Sequence, residues 1–503
     1  MLVRFLLTAA SITVLGASTA QAALTITSKQ TKNVSCGGGV CTAVSKHANL
    51  NADELVALLG SGDVRVATGS KAKDIEVSVT GDLIWNSAHH LALDSFRSLT
   101  VTKVLFYKGT GGGLDLKAND GGTDGTLNFG DKGHIAFINS NTATLTINGA
   151  NYVLIPNVHA LSSAISMNPS GNFALYGPIN AGVDGTYLTD PVTTIFQGHL
   201  EGLGNTIQHL RINVKTTSAT VGLFYGIDGG TITHFKLAGA KVHGGKISEV
   251  GTLAGFCKGA IGDVEISTQV QGGLHSLIGG VCGVLDATLG NVHVSGTATG
   301  DGGRTPNLGS VGGLVGSELG GTITDSSAAV HVAGGKGWAG GGFVGKNQGA
   351  IELSFATGVV VVGDDGVSGG LVGSNTGTVI TNSYATGTTQ GGIGSTVGGF
   401  IGLNNGPVSA SYSAGPVASG SGNAVGGFIG DDQGAADLAN TYFDTTTSGQ
   451  SHGVGNNTGY PGVTGLTTEE FRAGVPAGFD SSIWAENPGI DDGLPYLLAN
   501  PPG

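Results

Sequence analysis

One short phrase recurs along this chain at a fixed beat, and a beat of this size means that successive units share one local fold. It reads Val311-Gly-Gly-Leu-Val-Gly316, Gly340-Gly-Gly-Phe-Val-Gly345, Ser368-Gly-Gly-Leu-Val-Gly373, Val397-Gly-Gly-Phe-Ile-Gly402 and Val425-Gly-Gly-Phe-Ile-Gly430, at intervals of 29, 28, 29 and 28 residues. A second column keeps step: Ser354-Phe-Ala-Thr-Gly358, Ser383-Tyr-Ala-Thr-Gly387 and Ser411-Tyr-Ser-Ala-Gly415. Looser copies begin at Val221, Gly251 and Ile278. Units this short cannot bury an apolar face alone, so the array must stack into one continuous core.

Composition selects the kind of stack. The 503 residues include 93 Gly and 13 Pro, with 39% hydrophobic and 11% charged residues. Glycine without a three-residue period excludes collagen, and the apolar content argues against simple disorder. Turn-dense β structure fits both facts. Within each unit Asn347, Asn375 and Asn404 share a column, with Gly349, Gly377 and Gly406 two residues later; Asp432 and Gly434 take these places in the next unit. Asn-X-Gly at a fixed place marks a turn, and stacking identical turns would align the amides in a structural ladder. Phe355, Tyr384 and Tyr412, followed by Tyr442, form an aromatic column, read as coil-to-coil stacking rather than a ligand platform. The Leu/Phe plus Val/Ile doublet of the phrase leaves a question open. Adjacent strand residues face opposite ways, so one member is exposed unless the glycines bend the backbone or another layer covers it.

Outside the repeats the chain reads in segments. Residues 1–22 carry an early Arg4, an apolar run and the ending Ala20-Gln21-Ala22, the pattern of a cleavable secretory signal. Residues 23–220 are expected to form an N-terminal β-helical segment and junction. It should contain a helix over 51–60, capped by Asn51 and ended by Gly60, and another over 158–167, stopped by Pro169. Phe196 to Ile212 alternates strand residues with corner glycines and is the entry to the repeats, which occupy 221–444. Residues 445–503 are expected to cap the last coil, with a short helix at the Thr467-Thr-Glu-Glu470 capping box.

Four cysteines suit an oxidising compartment. Cys36 and Cys41 flank a four-residue turn and are expected to pair. Cys257 and Cys282 fall three positions out of register between successive coils. That is roughly 10 Å along a strand, so the expectation is two separate buried thiols.

Gly449-Gln-Ser451-His-Gly453 matches a nucleophile elbow, but Ser451 is followed by a sequence that opens no helix. The 13 histidines, including His89-His90, lack metal-ligand spacing. Asp364-Asp365, Asp431-Asp432 and Asp491-Asp492 read as exposed turns rather than calcium ligands, since the nonapeptide rhythm of calcium-binding rolls is absent. A formal charge of −13 without a basic run argues against nucleic acid. No catalytic residue, cofactor or metal is expected, and no membrane span after signal cleavage.

The phrase Gly-Gly-(Leu/Phe)-(Val/Ile)-Gly, together with Ser-(Phe/Tyr)-Ala-Thr-Gly, resembles the GLUG-motif repeats of bacterial filamentous-haemagglutinin-like adhesins. The resemblance is specific over Val221 to Asp444. It implies an exported all-β chain folded as a right-handed parallel β-helix, a solenoid with short capping helices. It also implies a role in adhesion, through a glycan or cell-surface ligand. The expected location is extracellular or at the cell surface, with the periplasm as alternative, because the Asn-Pro-Asn motifs of two-partner secretion are not found. Two further functional readings stand beside adhesion: a carbohydrate-active β-helix enzyme, either polysaccharide lyase or hydrolase, and a purely structural matrix scaffold. The oligomeric state is not legible.

Overall fold

The computed structural model describes residues 23–121, 124–138, 142–302, 309–421, 424–433, 437–456 and 462–502. The expected signal segment, residues 1–22, and Gly434 lie outside the described residues. The fold is all-β, a parallel β-helix with a few short helices. No helix among the described residues is long and apolar enough to cross a membrane. The chain divides into two compact units, 1–133 with 139–149, and 134–138 with 150–503.

In the first unit one face is a five-stranded parallel sheet. Its order is Ala48–Asn51, Ala23–Thr27, Asp74–Val77, Leu99–Val101 and Leu127–Phe129. The first strand of the chain thus lies inside the sheet, between later ones. A second parallel face stacks Val40–Ala43, Val64–Ala67, His90–Asp94, Gly113–Lys117 and Thr144–Ile147. Leu24, Ile26, Ile75, Val77, Leu99 and Val101 point inward and are fully buried. The helix Ala52–Leu59 starts where Asn51 Oδ1 accepts the Glu54 N–H at 3.0 Å. The Glu54 carboxylate does not close a capping box but takes the Thr31 hydroxyl at 2.6 Å. Gly60 ends the helix in ordinary right-handed geometry, not the left-handed one. Val34–Gly37 and Val40–Ala43 form a hairpin in which Cys36 and Cys41 sit directly opposite, bridged, with Cα atoms 4.0 Å apart.

In the second unit the helix Val158–Met167 is capped by Asn157, whose Oδ1 accepts from Ala160 at 2.8 Å. The repeats follow as stacked coils. One coil runs Val367–Gly369, Val372–Asn375, Val379–Thr381, Tyr384–Ala385 and Thr389–Gly391, and each strand pairs in parallel with its counterpart one coil on. Ile232, Ile261, Leu289, Ile323, Ile351, Ile380 and Val408 occupy one inward column through the stack, all buried.

The apolar doublet is resolved by the glycines before it. Leu314 with Val315, Phe343 with Val344, Leu371 with Val372, Phe400 with Ile401 and Phe428 with Ile429 are all fully buried. The chain bends sharply just before each doublet. A Cβ on Gly341 or Gly369 would stand 2.0 Å from the carbonyl oxygen of Val344 or Val372, so only glycine fits. The next glycine lies against the coil above: a Cβ on Gly342 or Gly370 would meet the following coil's backbone at 2.1 Å. The bend lets both members of the doublet turn inward.

The same kind of bend corrects the reading of the second cysteine pair. Cys257 and Cys282 form a disulfide with Cα atoms 6.2 Å apart. Their register offset is indeed three, since Ala254 pairs with Cys282 and Cys257 with Leu285. In a straight strand Ala254 and Cys257 would face opposite sides, yet both are fully buried. The chain turns between them, and the straight-strand distance does not apply.

Another corner recurs as a column of residues with positive φ: His234, Asp263, Asn291, Asp325, Leu353, Asn382, Ala410 and Asn440. After the last coil, Val463–Leu466 adds one more parallel strand on Leu438–Asp444, and Thr467 and Glu470 close a capping box at the helix Thr468–Phe471. The tail then runs back along the outer wall. Trp484 Nε1 donates to Asn382 Oδ1 at 3.1 Å, and Asn500 Nδ2 reaches the carbonyl of Ser326 at 3.1 Å.

Candidate functional site

The sequence-selected residues of the second unit form columns. Asn347 Nδ2 donates to Asn375 Oδ1 at 2.8 Å, Asn375 Nδ2 to Asn404 Oδ1 at 2.8 Å, and Asn404 Nδ2 to Asp432 Oδ1 at 3.0 Å. Their oxygens also accept the N–H of Gly349, Gly377 and Gly406, at 3.3, 3.1 and 3.3 Å. All three asparagines are buried, so this column is not offered to a ligand. A serine column runs parallel to it. The N–H groups of Ser326, Ser354 and Ser383 donate to the hydroxyls of Ser354, Ser383 and Ser411 in the coil ahead.

Phe355, Tyr384 and Tyr412 stack with centroids 4.7 and 5.1 Å apart and planes within 8° of parallel. They stand on the outer wall, as a cluster separate from the interior core, and are covered by Phe471, Phe479, Trp484 and Leu497 of the tail. Tyr412 and Tyr442 donate their hydroxyls to the carbonyls of Pro495 and Ala477, both at 2.6 Å. Burial raises the phenols of Tyr384 and Tyr412 well above their ordinary range.

Other motifs are absorbed locally. His89 faces Asp63 and His90 faces Asp115, so the pair does not converge. Asp365 pairs with Lys336 at 2.9 Å, and Asp364 accepts the Ile393 N–H at 2.8 Å. Among the described residues no group of three or more His, Cys, Asp or Glu could hold a metal ion. Ser451 lies in a loop beyond the helix Thr445–Ser448, and residues 452–456 directly after it form no helix.

A polar chain that sequence reasoning missed crosses several coils of the second unit. Tyr152 meets His199 Nδ1 at 3.0 Å, and His199 Nε2 meets Thr233, which donates to Glu201 at 3.1 Å. Glu201 also receives His234 Nδ1 at 3.0 Å. Farther on, His293 lies 2.8 Å from both Ser327 Oγ and Asn291 Oδ1. This resembles a nucleophile, base and orienter, and burial holds His293 below the ordinary imidazole range. Acyl transfer also needs free N–H donors for the oxyanion. Here Ser327 lies between His293 and Phe355 in the parallel ladder, which engages the backbone around it.

A surface with room for a ligand lies in the first unit. An open trough of about 1320 Å³ lies over the outer face of the five-stranded sheet. Its floor is one outward position per strand: Asn49, Thr25, Glu76, Thr100 and Asn128 lie side by side in register. Rungs repeat at about 4.8 Å, so the floor is a polar track about 20 Å long. Asn49 is fixed: its Oδ1 accepts the Thr25 and Thr27 hydroxyls at 3.0 and 2.6 Å, and its Nδ2 donates to the Lys29 carbonyl at 2.9 Å. Lys29, Lys32, Lys73 and Phe96 also line the trough. Asp74 is held by Arg97 Nε at 2.8 Å and the Ser98 N–H at 3.0 Å. Burial pushes this carboxyl up, but those bonds outweigh it and keep it below the usual carboxylate range. Glu76 has hydroxyls, Thr25 and Thr100, as its ladder neighbours. Such a surface offers hydrogen bonds and scattered positive charge to an extended polar molecule.

Comparison with known proteins bears on the repeat. The family described as "The GLUG motif" matches residues 365–390, a stretch holding Asn375, Gly377 and Tyr384. The repeat is thus a GLUG repeat, carried on a parallel β-helix. No curated protein matches the chain by sequence. Among solved structures it is similar to an IgA1 protease at 21% identity and TM-score 0.37, over 57% of this chain and 21% of that one. It is also similar to a candidate immunoglobulin A1 protease from Bacteroides ovatus, at 16% identity and TM-score 0.38, over 69% of this chain and 93% of that one. The chain spans about a fifth of the length of the first. At these scores neither likeness carries a functional argument.

Proposed function

We propose that this chain is an exported, non-enzymatic β-helix protein that attaches to a glycan-bearing surface through the trough of its first unit. The observation that carries the reading is the five-rung polar floor of Asn49, Thr25, Glu76, Thr100 and Asn128. A linear polymer laid along it would meet a fresh hydroxyl, amide or carboxylate at every rung. Binding is favoured over hydrolysis because glycoside cleavage uses two carboxylates across the scissile bond. Asp74 is tied to Arg97, the rungs beside Glu76 are threonines, and the third lining carboxylate, Asp124, comes before the strand Leu127–Phe129 and is not one of the floor rungs. The GLUG repeats of the second unit, with buried columns, serve as a stacked support.

The test is retention on immobilised polysaccharides and on whole cells, using the chain from Ala23. Thr100→Trp should fill the floor and abolish retention, with the far-ultraviolet circular dichroism unchanged. Undiminished retention by that variant would show that the trough is not the binding surface. Fractionation of tagged protein should place it outside the inner membrane.

A further inference from the structure

A second polar surface, in the other unit, differs in charge. A groove of about 390 Å³ lies along the outer wall beside the stacked strands that begin at Arg211, and its lining contains no carboxylate. That is unusual for a chain in which 35 acidic residues face 22 basic ones. Two outward columns build it in ladder register. Arg211, Lys241, Gln269 and Thr297 form one; Asn213, His243, Gln271 and Thr299 form the other. Ile212, Val242 and Val270 between them point inward and are buried, so the cationic, amide and hydroxyl groups project from a rigid floor.

A second observation concerns an acceptor. Asn213 Oδ1 is sealed from solvent and has no hydrogen-bond partner. A buried carbonyl in that state is costly unless a donor arrives. The groove has an electrostatic direction as well. Arg211 and Lys241 stand together on adjacent rungs, whereas Gln271, further along, donates to Asp301 at 3.2 Å.

From this placement we infer that the groove binds an anionic linear polysaccharide. The acid groups of the chain meet Arg211 and Lys241, and a sugar hydroxyl donates to Asn213. Paired cations supply charge-assisted bonds to carboxylate or sulfate. Rungs spaced at about 4.8 Å present Arg211, Lys241 and the Gln269 amide to successive stretches of the polymer. Single-stranded nucleic acid fits less well, because base stacking needs broad aromatic platforms and the lining has no Phe, Tyr or Trp. The site is independent of the trough described above.

The experiment compares retention of polygalacturonate, dextran sulfate, neutral dextran and a single-stranded oligonucleotide. At low salt at least one acidic polysaccharide should bind well above dextran, and binding should weaken as salt rises. Whichever is preferred, polygalacturonate or dextran sulfate, identifies the acid group recognised. The pair Arg211→Gln and Lys241→Gln should lower affinity at least about tenfold, the loss of two charge-assisted bonds. Asn213→Ala should lower it with the salt dependence unchanged. These side chains project from the wall, and circular dichroism checks that the variants fold. Equal binding of dextran and acidic polymers, an unaffected double variant, or stronger binding of the oligonucleotide would overturn the inference. Thr100→Trp separates the two sites: acidic-polymer binding lost in that variant but kept in the groove pair would assign it to the trough.

Discussion

Asn404 Nδ2 donates to Asp432 Oδ1 at 3.0 Å, and this bond ends a column in which each amide donates in the same direction. A carboxylate is an acceptor, so Asp432 closes the donating end. Asn375, in the middle, both accepts and donates. Asn375→Ala should therefore break the bonds to Asn347 and Asn404 and leave the buried Gly377 N–H without its acceptor, a loss of about 1–3 kcal/mol for that orphaned group. The midpoint of urea unfolding would register it as a clear drop.

The opposite end of the column holds an acid. Ser317 pairs with Lys346, which sets Glu318 opposite Asn347, and Glu318 is fully buried with neither carboxylate oxygen partnered. Burial pushes Glu318 up to about 9 from 4.5. Between those values the folded chain holds a proton that the unfolded chain releases. This group therefore favours folding most below pH 4.5, and its contribution falls as pH rises towards about 9. Glu318→Gln should match the native chain in acid and exceed its stability increasingly from pH 6 to 9. Parallel unfolding midpoints across that range would refute the assignment.

Ala410 holds a left-handed corner with φ of 45°, where Asn382 and Asn440 hold the equivalent places. That conformation costs a residue with a Cβ about 1–2 kcal/mol, and asparagine tolerates it better. Ala410→Asn should raise the melting temperature by a few degrees, a gain of about 1 kcal/mol.

Trp484 is fully buried against Tyr384, Tyr412 and Phe479, with centroids 5.9, 5.9 and 4.7 Å away. Trp484→Ala should cost about 3–5 kcal/mol. The loss should fall on the tail, and limited proteolysis should cleave within residues 475–502 while the repeats stay intact.

The Cys257–Cys282 bridge closes a 25-residue separation inside the stack. Replacing both by alanine should lower stability by about 2–4 kcal/mol. In the unfolded native chain without reductant, thiol titration should find no free cysteine.

The coil was legible because its cause is periodic. The five regular units repeat the same glycine pair, an aliphatic residue recurs at the inward position, and each copy reinforces the reading. Corners were less legible. Whether Phe343 and Val344 could both turn inward depended on a backbone bend at Gly341 and Gly342, and spacing does not show a bend. The same blindness separated Cys257 from Cys282. The trough left almost no trace in the sequence. Its five rungs come from strands at uneven intervals, and Ala23–Thr27 lies between two strands that follow it in the chain. The histidine and glutamate chain was hidden too, since stacking alone brings His199 and Glu201 against Thr233 and His234 of the next coil, and His293 against Ser327.

The order of synthesis gives the tail a further meaning. The wall of Phe355, Tyr384 and Tyr412 emerges from the ribosome before Phe471, Phe479, Trp484 and Leu497, the buried apolar residues of the tail that cover it. A nascent chain therefore carries bare stacked rings until residues 471–497 arrive, and a chain cut short before them leaves the rings bare for good. Synthesis of that stretch and concealment of an adhesive wall are, for this molecule, the same event.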